Sequence, residues 1–157
     1  MNSITKLPVS PSANPQLVAE LNQNLADALD LKLQVKQAHW NIKGTNFIAL
    51  HKLFDEVAAA VDEYADLLAE RVVQLGGIAY GTSQAIHKAS RLKAYPLDIQ
   101  ASELHVKQLT ESLRLFADNV RGLIDQSGEL GDQVTADICT EVSRETDKWR
   151  WMVEANL

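Results

Sequence analysis

A single cysteine, Cys139, leaves no intrachain disulfide to be formed and fits a reducing cytosol. Apolar runs are short, and none approaches the ~20 consecutive residues that a membrane span requires. The first fifteen residues are polar around Pro8, Pro11 and Pro15 and lack the apolar segment of a secretion signal. Basic residues are outnumbered: 15 Lys and Arg stand against 21 Asp and Glu, a net charge of −6. That balance argues against general affinity for nucleic acid and suits attraction of cations into a cavity. Helix breakers are sparse as well, with 7 Gly and 4 Pro, and neither occurs between Asn46 and Leu75.

What is present is the material of one globular domain. The 157 residues are 46% hydrophobic and 23% charged, enough for a substantial core. Asn14-Pro15 reads as an N-cap and first helical residue, so the chain divides into a flexible tail over 1–14 and a helical domain over 15–157. Leu17, Leu21, Leu25, Leu29, Leu33 and Ala38 recur at helical spacing in a first helix that Gly44 is expected to end as its C′ residue. Thr45 or Asn46 can cap a second helix, which stops at Gly76-Gly77. Residues 76–96 form a connector with a short helix around 83–88. Its length suffices to run the length of a bundle and make the second and third long helices parallel. The third is expected from about Asp98 to Gln126, with Leu104, Leu109, Leu113, Phe116, Val120 and Leu123 as its apolar side. A turn over 127–131 follows. Asp132 then caps a fourth, carrying Val134, Ile138, Val142, Trp149, Met152 and Val153. The strand signal is weak throughout. The expected fold is all-α: a four-helix bundle with one long crossover, the ferritin-like variety.

The second helix carries the chemistry. His51 and Asp55 are spaced i, i+4, and so are Asp66 and Glu70, which puts each pair one turn apart on one helix face. Imidazole with carboxylate is a mixed N/O donor set that suits iron or zinc better than calcium or magnesium. All four residues fall within a stripe roughly 100° wide, yet Asp55 and Asp66 are about 16 Å apart along the axis. Bonds of about 2 Å cannot join both pairs to one ion in a single chain. An antiparallel copy of the same helix, related by a two-fold axis near Ala60 and Val61, sets His51 and Asp55 of one chain opposite Asp66 and Glu70 of the other, twice over. Ala58-Ala59-Ala60 lies where the helices would cross, and His39, at the end of the first helix, completes the set. A lone His is more often a surface or core residue than a ligand; two carboxylate-bearing pairs and a third imidazole with one symmetric solution are harder to read that way.

The string His39-Trp40-Asn41-Ile42-Lys43-Gly44, then Phe47, His51 and Asp55, followed by Asp66, Glu70-Arg71 and Gln74-Leu75-Gly76-Gly77, closely resembles the Dps family of miniferritins, the bacterial DNA-binding proteins from starved cells. The similarity continues through Gly81-Thr82, Lys93-Ala94-Tyr95-Pro96-Leu97-Asp98-Ile99, Thr135-Ala136-Asp137-Ile138 and Asp147-Lys148, from about residue 15 onward. The resemblance implies a hollow dodecameric shell in the bacterial cytoplasm, with nucleoid association in members that bind DNA. It implies a ferroxidase: an oxidoreductase that converts Fe(II) to Fe(III), usually with hydrogen peroxide in preference to oxygen. The mineral is stored inside, giving oxidative-stress protection. Carried over, His39, His51 and Asp55 of one subunit bind iron with Asp66 and Glu70 of its partner, and zinc can occupy the same site. Trp40 matches a family tryptophan beside the centre, associated with electron transfer or radical quenching; its plainer reading is a core aromatic closing the first helix.

Other features are set against that expectation. No Glu is followed three residues later by His, so an iron centre inside one bundle is unsupported. Glu129, Asp132 and Asp137 resemble the acidic residues of the family's three-fold pore, with helix capping and solvated turn positions as the plainer reading. Asp62 lies on the ligand stripe and is expected to pair with a Lys or Arg, or else to serve as an accessory cation site. DNA binding is expected to be weak or absent. Lys6 is the tail's one basic residue, and the chain closes Val153-Glu154-Ala155-Asn156-Leu157 without a basic extension. Three classes therefore compete: an iron-oxidising storage shell, a non-enzymatic DNA-compacting stress protein, and a non-enzymatic zinc-bearing assembly.

Overall fold

The structure, a computed structural model, describes residues 14–157; the expected tail over 1–13 lies outside the described residues. Asn14 belongs to the first helix rather than to the tail: its side chain accepts from the Gln16 amide at 2.9 Å. Five helices follow in order: α1 Pro15–Asn41, α2 Phe47–Gln74, the short α3 Ser83–Ala89, α4 Ser102–Glu129 and α5 Gln133–Glu154. The extended exception among the described residues is an isolated bridge between Lys43 and Ala101.

The direction of each helix follows from side-chain pairings. Gln34 bonds Ser112 and Asp27 bonds Asn119, so α1 and α4 are antiparallel and in register. The brief link over 42–46 turns α2 back along α1, which makes α2 and α4 parallel, as the length of the crossover predicts. Tyr64 meets Trp149, and Arg71 meets Asp132 and Thr135, closing α2 against α5. The core between them is built from Leu21, Leu25, Leu31, Phe54, Val61, Leu68, Leu113, Phe116 and Val120, all at helical spacing.

Several expected boundaries shift for identifiable reasons. Gly44 is not the C′ residue of α1. The helix stops at Asn41 because Ile42 is drawn into the core in an extended conformation, while the Lys43 amide donates to the Gln100 carbonyl. Gly44, at φ +132°, instead sits in the link beside Ser102. The same Lys43–Gln100 bond holds the chain extended before α4, which starts at Ser102 rather than Asp98. The expected turn over 127–131 is helical through Glu129; Gly131, at φ +77°, supplies the left-handed residue that ends it. Leu33, Leu104 and Val134, assigned to apolar faces, are exposed. In the alanine run, Ala58 faces its own core and Ala59 is exposed.

Helix α2 ends as its glycines predict. The Gly76 amide donates to Val73 and the Gly77 amide to Val72, each at 2.9 Å, with Gly76 at φ +81°. A Cβ on Gly77 would lie 2.6 Å from Val18 Cγ1 and 3.0 Å from Val72 Cγ1, both on stiff β-branched side chains. Gly77→Ala is expected to destabilise the fold by about 1–3 kcal/mol, measured by chemical denaturation.

Candidate metal centre

The α1–α2 hairpin brings two imidazoles face to face. His39 sits in the last turn of α1 and His51 near the start of α2, with ring centroids 3.8 Å apart and planes inclined by 16°. Each ring is tied to the other residue's backbone. His39 Nδ1 donates to the His51 carbonyl at 2.7 Å, and His51 Nδ1 donates to the His39 carbonyl at 2.8 Å. A carbonyl oxygen can only accept, so both neutral rings carry their proton on Nδ1. Both Nε2 atoms therefore present a lone pair. Backbone bonds that fix tautomer and orientation in this way typically support metal-ligating histidines.

Asp55 follows His51 by one turn. Its Oδ1 lies 3.9 Å from His39 Nε2 and 2.8 Å from Lys36 Nζ. The hydrogen bond from Lys36, then its charge, hold the Asp55 carboxyl below its ordinary range. Asp66 and Glu70 are exposed on the same helix, about 16 Å further along its axis at the α-helical rise. Among the described residues, no three His, Cys, Asp or Glu side chains converge to hold an ion within one chain. The structure thus stacks His39 on His51 near the start of α2, with Asp55 3.9 Å from His39, and leaves Asp66 and Glu70 further along the helix.

Two neighbours take positions sequence reasoning did not specify. Trp40 is 65% exposed, which overturns its reading as a core aromatic. At 100° per residue, turning His39 toward α2 turns Trp40 outward. It shares an outer face of α1 with Leu33 and Lys36, whose ammonium lies 5.5 Å from the indole centroid. Lys36 itself was missed as the partner of Asp55, although Lys32 and Lys36 stand one turn apart on α1. Lys32 pairs with Asp62 at 2.5 Å, so Asp62 takes the ion-pair role expected of it.

The acidic residues at the far end divide. Asp132 is committed: it caps α5 through the Thr135 amide and takes two bonds of 2.9 Å from Arg71 Nη2. Burial raises its pKa, but the Thr135 and Arg71 bonds outweigh that and leave it below the ordinary value. Glu129 and Asp137 are exposed.

A four-helix bundle with one long crossover, bearing two stacked imidazoles and a carboxylate on its first hairpin, defines a ferritin-like protein. The Ferritin-like domain family matches residues 18–157. The "DNA protection during starvation protein" of Agrobacterium fabrum is 45% identical over 153 residues, spanning 98% of this chain and 94% of that one. The tetragonal form of Mycobacterium smegmatis Dps superposes with a TM-score of 0.89 at 30% identity, over 99% of this chain and 94% of that chain. Dps from Vibrio cholerae O1, described as a member of a broad superfamily of ferritin-like diiron-carboxylate proteins, gives 0.88 at 25% identity over 99% and 98%. The chain belongs to the Dps family.

Proposed function

We propose that this chain is a ferroxidase and iron-storage subunit: it takes Fe(II) as substrate, oxidises it with hydrogen peroxide in preference to oxygen, and keeps the Fe(III) mineral inside a twelve-subunit shell. The observation that carries the reading is the reciprocal Nδ1–carbonyl bonding of His39 and His51, which leaves both Nε2 atoms without a proton, that of His39 3.9 Å from Asp55 Oδ1. The remaining donors are the partner's Asp66 and the partner's Glu70, brought across a two-fold axis because one chain cannot supply them at that end. Membership of a family with diiron-carboxylate relatives supports iron as the metal handled.

Each residue has a definable task. His39 and His51 bind through fixed nitrogens that need no reorientation. Asp55 is held ionised, with the Lys36 ammonium as the cation an incoming ferrous ion replaces. Carboxylates, as hard anionic donors, favour Fe(III) over Fe(II) and so favour oxidation in place. Consuming peroxide there removes both reactants of the free-radical reaction in solution, which is the protective role. Exposed Leu33, Trp40, Phe47 and Ile48, near the hairpin, are the kind of apolar surface that a subunit interface covers. Glu129 and Asp137 are the free candidates for an acidic entry pore, with Asp132 held in place behind them by Arg71.

The test compares Fe(II) oxidation by peroxide and by oxygen on a sized preparation. Faster turnover with peroxide, on a particle of roughly twelve 17.4 kDa chains, is expected. Equal rates would refute the peroxide preference, and a monomer that turns over at full rate would refute the shared site. DNA binding is expected to be weak. At −6 per chain the shell repels phosphate, and a gel shift at moderate salt should show no retarded band.

A further inference from the structure

Tyr95, in the crossover, and His105, in the first turn of α4, form a second polar pair that the iron site does not use. The Tyr95 hydroxyl lies 2.6 Å from His105 Nδ1, and the two rings are nearly parallel with centroids 6.0 Å apart. His105 is 1% exposed, and its Nε2 is buried without a hydrogen-bond partner. Burial pushes the Tyr95 phenol upward, so it keeps its proton, and pushes the His105 imidazole downward, so it stays an unprotonated base. The Ile99 backbone acts the other way, toward the protonated ring, and burial outweighs it. Tyr64 offers a contrast: its oxygen accepts from the Trp149 indole at 3.1 Å, a group that takes no proton in return.

Register puts His105 level with the proposed centre. The Gln34–Ser112 and Asp27–Asn119 bonds place His105 level with residue 41 of α1. That is two residues from His39, or about 3 Å along the axis, with packed helices about 8–10 Å apart. Electron transfer through packed side chains is practical at that separation.

From this geometry we infer that Tyr95 and His105 act as a proton-coupled electron donor, which quenches one-electron oxidants formed at or beside the iron site. The inference rests on the ferroxidase reading for the source of the oxidant, a hydroxyl radical from one-electron cleavage of peroxide by Fe(II). Tyr95 gives that radical one electron, and its phenolic proton passes to His105 Nδ1. The products are hydroxide, a neutral tyrosyl radical and an imidazolium. Coupling the two transfers avoids the costly phenol radical cation that a tyrosine without a base would form.

The test has two arms on the assembled full-length protein. In the first, iron-free protein is oxidised by a flash-generated ruthenium(III) polypyridyl complex and freeze-trapped for electron paramagnetic resonance. Wild type should give a tyrosyl signal that is lost in Tyr95→Phe, although Tyr64 and Tyr80 remain. The signal should also be lost in His105→Gln, since glutamine accepts the phenol's hydrogen bond but not its proton. Persistence of the signal in either variant overturns the proposal. Shell size and thermal midpoint, measured alongside, identify a variant that has merely lost its packing; in that case His105→Asn replaces it. In the second arm, Fe(II)-loaded protein meets peroxide. A Tyr95 radical supports the link to the iron site, and normal iron oxidation without one overturns it. Failure to oxidise iron at all removes the ferroxidase reading, while the flash arm still decides the pair.

Discussion

Replacing His51 and Asp55 by alanine is expected to slow peroxide-driven Fe(II) oxidation by at least about 10–100-fold, the loss that follows even from disturbing the second shell of a metal site. The reason is donor count. Neither His39 nor Asp66 with Glu70 can hold iron alone, and the α2 axis separates the two ends by about 16 Å. Asp66→Ala with Glu70→Ala should give the same loss, although these residues lie far from the imidazoles of their own chain. Co-expression of the two double variants is the sharper measurement. In a mixed two-fold pair, one of the two centres receives all its donors intact and the other receives none of the four. Random pairing makes half the pairs mixed, so activity should return to about a quarter of wild type. A mixture as inactive as its parents would show that the centre is not shared across the interface.

How much of this was legible beforehand depends on the length scale of the signal. The helices were readable because apolar spacing and glycine stops are local: Asn14-Pro15 opens α1 and Gly76-Gly77 closes α2 as their chemistry requires. Boundaries set by distant contacts were not. The early end of α1 and late start of α4 share one cause, the Lys43–Gln100 bond between segments far apart in sequence. The i, i+4 spacing of the two pairs and their separation along α2 were legible for the same local reason, and the proposal of a two-chain centre rests on them. The orientation of the donors was not. The reciprocal backbone bonds of His39 and His51 depend on how the α1–α2 link folds, and the ion pairs of Lys32 and Lys36 depend on the antiparallel register of α1 against α2. For Trp40 the sequence left two readings open, and the exposed indole removes only the core one, because one helical step of 100° separates inward from outward.

The largest stability effect is expected where the crossover meets α1. Asp27 is fully buried, and Arg91 reaches it from the surface with Nη2 at 2.6 Å and Nε at 2.9 Å. The Arg91 amide and the Asn119 side chain add bonds of 2.7 Å and 3.1 Å. Arg91→Ala removes the charge partner and leaves a carboxylate inside the bundle with two neutral donors. Breaking a buried pair in this way costs about 3–5 kcal/mol, and the surviving donors favour the lower end. Asp27→Asn should cost less, because the freed guanidinium can turn into water. The double variant should therefore be more stable than Arg91→Ala alone, since it removes the stranded charge as well as its partner. Urea denaturation of the three variants measures the order. If Arg91→Ala proves no worse than the double variant, the carboxylate is not stranded, and the pair is an ordinary surface contact. The contact holds the crossover at Arg91, four residues before Tyr95, so the same loss of anchoring should weaken the Tyr95–His105 bond and, with it, any radical yield that depends on that bond.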